Sequence, residues 1–109
     1  MALTGLFLIL FLAVHLAGNL QLLKSDDGRA FNIYAQFMTS NPVVMTISYV
    51  NYAFIVLHIV WAIILTRRNR AARGPKGYAV SDNSSHWTSR NMGILGTFIA
   101  LFLVIHLRG

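Results

Sequence analysis

Three long runs without a single charged residue dominate the chain. They are Met1 to Leu23, Pro42 to Thr66 and Asn91 to Leu107. All twelve charged residues fall between or beyond them. A bilayer crossing needs roughly 20 apolar residues, so the first two runs have the length to span and the third, near 17, sits at the short limit. The expected fold class is therefore all-α: a transmembrane helical bundle over residues 1–109. Its membrane-spanning helices are expected at about 1–23, 42–66 and 91–107. A signal peptide is a poor reading of the first run, which has no basic start and no small-x-small cleavage site after it. Apolar sequence begins at Met1, and the chain stops just past the third run. That pattern is expected of a piece of a longer membrane protein.

The charges orient the helices. Of 109 residues only 11% are charged, with nine Lys and Arg against three Asp, for a net charge of +6. The second connection holds Arg67, Arg68, Arg70, Arg73, Lys76 and Arg90. In the first, Lys24 and Arg29 are offset by Asp26 and Asp27. Basic residues stay on the cytoplasmic side, so residues 67–90 are expected in the cytoplasm and helix one to run outward. The basic excess is then a topology signal, and no nucleic-acid partner is expected. Membrane lipid is the expected surrounding, with the basic loop facing phospholipid or a partner.

Each connection has local character. Phe31, Tyr34, Phe37 and Met38 recur at helical spacing among polar residues, which predicts a short amphipathic helix in the outer interface. Asp26 and Asp27 are placed to cap it, and Ser40-Asn41-Pro42 reads as a cap with Pro at the first helical position. The stretch from Arg73 to Ser89 is rich in Gly, Pro, Ser and Asn and is expected to be irregular, with Tyr78 and Trp87 as interfacial anchors.

Candidate chemistry rests on histidine. The chain has no Cys, which excludes disulfides, thiolate nucleophiles and cysteine-bound clusters. It has four His, and His15, His58 and His106 lie one in each apolar run. An ionisable side chain at membrane depth is a functional candidate. Neutral imidazole binds iron well, and haem needs only axial ligands from the protein. Depth separates the three. His15 lies 14 residues from the inner end of its run and His106 lies 15 from Asn91, about 21 and 22 Å along the helix. His58 is 8 residues from Thr66, only about 12 Å. His15 and His106 therefore share an outer level suited to one bis-His haem, while His58 belongs to an inner level and lacks a partner here.

An internal repeat supports that pairing. LTGLFLILFLAVHL (Leu3 to Leu16) and ILGTFIALFLVIHL (Ile94 to Leu107) agree at seven of fourteen positions, including Gly5/Gly96, Phe11/Phe102 and His15/His106. Phe stands four residues before each of the three His. Gly18 leaves room at the helix surface beside His15, and Asn19 is a nearby donor. Lys24 and Arg108, at the outer end, suit haem propionates or simply snorkel to the interface. His86, in the polar loop beside Trp87, reads as solvated.

These residues also resemble a known family. T-G-L-F ahead of His15, L-H-I-V-W-A around His58, G-T-F-I-A-L-F-L-V-I-H-L around His106, H-L-x-G-N-L-Q and F-N-x-Y-x-x-F-M-x-x-N-P are similar to the cytochrome b membrane subunit of succinate dehydrogenase and fumarate reductase. The single-chain, dihaem, menaquinone-linked type of Bacteroidetes is the nearest likeness, over nearly all 109 residues. The resemblance implies five membrane helices, of which these are the first three, and two b-type haems. It places axial ligands of one haem on His15 and His106 and one ligand of the second on His58, whose partner His lies in a later span. It further implies electron transfer to or from menaquinone, flavoprotein and iron–sulfur partner subunits on the cytoplasmic side, and residence in the bacterial inner membrane, with no substrate chemistry in this chain. No residue here answers to the family's acidic group at the outer quinone site. Two other classes stay open from the residues alone: a transporter fragment with the His in proton relay, and an anchor in which they are structural.

Overall fold

The computed structural model describes residues 1–77 and 86–109. Every element among them is helical. Helix α1 runs Ala2–Asn19 and tightens into a 3-10 turn, Leu20–Leu23. It is followed by α2 (Arg29–Ser40), α3 (Pro42–Arg73), α4 (Trp87–Arg90) and α5 (Met92–Arg108). The described residues form two compact units, Met1–Leu65 and Thr66–Gly109.

In the first unit, local chemistry sets the helix boundaries as the sequence predicts. Asp26 Oδ2 accepts the Ala30 N–H at 2.9 Å ahead of α2. Gly28, with φ +79°, supplies the left-handed turn that starts this helix, and Asp27 before it has φ +56°. Asp tolerates that region better than bulkier residues do. At the start of α3, Asn41 Oδ1 accepts from the N–H groups of Val43 (3.0 Å) and Val44 (3.2 Å), with Pro42 as the first helical residue. These are the donors a helix start leaves unpaired.

One boundary differs from expectation. The apolar run ends at Thr66, yet α3 continues to Arg73. The added residues are Arg, Asn and Ala, and Arg and Ala are strong helix formers. Nothing breaks the helix before Gly74, whose φ of +72° and N–H bonds to the carbonyls of Arg70 (3.1 Å) and Ala71 (3.2 Å) close it. Arg70 and Arg73 in the last turn complement its negative end. Tyr78 and much of the stretch expected to be irregular lie outside the described residues. Trp87 opens α4 and is exposed.

Burial runs opposite to that of a water-soluble domain. Among the described residues no apolar side chain is buried, whereas Thr4 (8% exposed) and Asn51 (4%) are. Large apolar side chains cover the outside of α1, α3 and α5. Ala2–Leu23 and Pro42–Arg73 are long and apolar enough to cross a membrane. Met92–Arg108 is apolar but shorter, at 17 residues.

Candidate functional site

His58 is held from across the helix pair. Its Nδ1 lies 2.9 Å from Thr4 Oγ1 on α1. Thr4 Oγ1 in turn donates to the Met1 carbonyl at 2.8 Å. About four turns of α3 separate His58 from the end of the helix at Arg73, and Thr4 stands in the first turn of α1. One helical turn further along, Phe7 of α1 meets Phe54 of α3 with ring centroids 4.6 Å apart. Thr4 with His58 and Phe7 with Phe54 pair ascending numbers with descending ones, so α1 and α3 are antiparallel. Gly5 lies beside the ring: a Cβ there would make an ordinary van der Waals contact with His58 Cε1 at 3.4 Å. His58 is half-buried.

His15 sits eleven residues beyond Thr4 on the same helix, about 16 Å along the axis. Within the first unit, then, His15 and His58 stand at different levels and no single iron is reached by both. His15 is exposed and stacks on Phe11, centroids 5.3 Å apart and planes at 28°. His106, in the second unit, is exposed and stacks on Phe102 at 5.2 Å and 16°. The two halves of the sequence repeat thus carry the same local Phe–His stack. His58 departs from that pattern, because Phe54 turns to Phe7 instead. His15 and His106 belong to different units.

Other expectations resolve differently. The space beside Gly18 is taken by Tyr34 of α2. A Cβ on Gly18 would lie 2.5 Å from Tyr34 Cζ and closer still to its hydroxyl oxygen. This gap is therefore filled by the protein's own interfacial helix. Asn19 donates, but to the His15 carbonyl at 2.7 Å. Gly96, the repeat's counterpart of Gly5, has open space where a Cβ would be. Lys24, His86 and Arg108 are exposed.

Two residues of this region carry no weight in the sequence reading. Thr4 is the partner of His58, and Asn51 is a buried amide whose Oδ1 finds no hydrogen bond among the described residues. The signal for both is the same: a polar side chain inside an apolar run, on the helix face that turns toward its neighbour. Asn51, Phe54 and His58 follow one another at the i, i+3, i+7 spacing of such a face.

Among the described residues no three His, Asp or Glu side chains converge as a ligand set for a free metal ion. A haem asks for less, namely one imidazole on each side of the iron. His58 fits that demand in one respect: its Nδ1 is occupied by Thr4, and Nε2 takes no part in that contact. No family model, curated protein or solved structure matches the chain.

Proposed function

We propose that this chain is the haem-binding, electron-transfer membrane anchor of a succinate dehydrogenase/fumarate reductase type of complex. The observation that carries this reading is His58, an imidazole pinned at Nδ1 by Thr4 between two helices that expose many large apolar side chains. In this reading α1, α3 and α5 are the first three spans of the bundle, with residues 67–90 on the cytoplasmic side of a bacterial inner membrane. His15 and His106 are the axial ligands of an outer b-type haem, and His58 is one ligand of an inner one.

A bound haem supplies reversible one-electron chemistry between an iron–sulfur subunit and menaquinone. This chain's residues supply the rest. Thr4 fixes the His58 ring, and Phe11 and Phe102 hold the His15 and His106 rings by stacking. Leu, Val, Ile and Phe flank each of these His in the sequence. Arg67, Arg68, Arg70 and Arg73, on the helical extension of α3, offer positive charge to the soluble subunits.

The test is a reduced-minus-oxidised absorption spectrum of the chain purified from membranes in mild detergent. A low-spin b-haem band that is lost in His15→Ala and in His106→Ala is the expected result. No haem band in the unsubstituted protein overturns the reading, and survival of the outer haem in either variant overturns the ligand pairing.

A further inference from the structure

The contacts around His58 specify where its proton sits. A threonine hydroxyl has one proton and can both donate and accept. If that proton lies in the 2.8 Å bond to the Met1 carbonyl, the oxygen offers only lone pairs toward His58. Nδ1 at 2.9 Å must then carry its own hydrogen and donate. Both short distances become hydrogen bonds. The opposite assignment, with Thr4 donating to Nδ1, gives up the bond to Met1. It also moves the imidazole hydrogen to Nε2, where no acceptor is present among the described residues. In apolar surroundings an N–H without an acceptor is costly. The first arrangement makes two bonds where the second makes one.

We propose that Thr4 is a positioning residue that locks His58 in the Nδ1–H tautomer and leaves Nε2 as the one nitrogen able to ligate iron. This rests on the haem reading above for its purpose, though not for its geometry. The hydrogen bonded through Nδ1 orients the ring and makes Nε2 a better electron donor, as outer partners of metal-bound imidazoles do. Thr4 falls outside the repeat's identities, since Leu95 occupies its place in the second copy.

Nitrogen-15 shifts of histidine-labelled protein in detergent, without haem and at about pH 8 where imidazole is neutral, read the tautomer directly. His58→Gln assigns the signal. The expected result is a protonated Nδ1 and a bare Nε2 at His58, a shift toward the Nε2–H form in Thr4→Val, and retention in Thr4→Ser. A bare Nδ1 in the unsubstituted protein, or a Thr4→Val spectrum identical to it, overturns the inference. Should Thr4→Val lose helix content by circular dichroism, the unsubstituted protein and Thr4→Ser still decide. With haem bound, Thr4→Val is expected to weaken the His58-dependent site by about 10- to 100-fold and to raise its midpoint potential, with Thr4→Ser restoring both. Potential and affinity unmoved by Thr4→Val overturn the positioning role. A protein that shows the tautomer but binds no haem overturns the haem reading alone.

Discussion

Tyr34 lays its ring against the bare backbone of Gly18, so α2 closes directly on the end of α1. Gly18 is buried although most of α1 is exposed. A methyl group at this position must displace an aromatic ring. Gly18→Ala is expected to lower stability by about 1–3 kcal/mol, the usual scale of overpacking. In a Tyr34→Ala background the same change is expected to cost little, and it is the difference between the two unfolding midpoints that tests the contact.

Phe7 and Phe54 form the aromatic part of the α1–α3 contact. A double-mutant cycle with Phe7→Leu and Phe54→Leu is expected to give a coupling of about 0.5–1.5 kcal/mol. Additive losses in detergent unfolding would mean that the rings do not meet.

Asn51 buries an amide oxygen with no donor among the described residues. An unsatisfied buried group of this kind costs about 1–3 kcal/mol. Asn51→Leu, which keeps the branched shape without the polar atoms, is therefore expected to raise the unfolding midpoint of the purified chain. A fall instead would reveal a hydrogen bond to the amide.

Asn41 accepts from two N–H groups at the head of α3. Asn41→Ala is expected to cost about 1 kcal/mol. Hydrogen exchange gives the local readout: the Val43 and Val44 amides should exchange faster while those near His58 stay as slow as before.

The basic end of α3 is expected to fix orientation in the bilayer. Replacing Arg67, Arg68, Arg70 and Arg73 with Gln should mix the topology. The chain has no Cys of its own. A single Lys76→Cys therefore reports sidedness by labelling with an impermeant thiol reagent. Unchanged sidedness would show that these charges do not set it.

Local chemistry was the legible part of this molecule. The caps at Asp26 and Asn41, the amphipathic helix around Tyr34 and the apolar helices follow from residues within one or two turns of each other. The end of α3 was not legible from hydropathy, because a run of Arg and Ala stops being apolar without ceasing to be helical. Thr4 was hidden for another reason. Thr39, Thr46 and Thr97 all bond a carbonyl one turn back in their own helix, as Thr4 also does. Nothing local distinguishes it from them. Its second contact, with a residue 54 positions away, exists only once two helices lie side by side. Gly18 misled because the sequence shows the gap and not the ring that fills it.

The inverted burial has a consequence for how the molecule comes together. In water, a threonine–histidine contact competes with solvent for every bond it makes, and the outward Leu, Ile and Phe side chains favour indiscriminate clumping over this one arrangement. In a hydrocarbon medium the ranking reverses: the outward side chains become indifferent, and the few polar groups are left to seek each other. In the membrane setting proposed above, the polar groups rather than the apolar ones would select the partner helix.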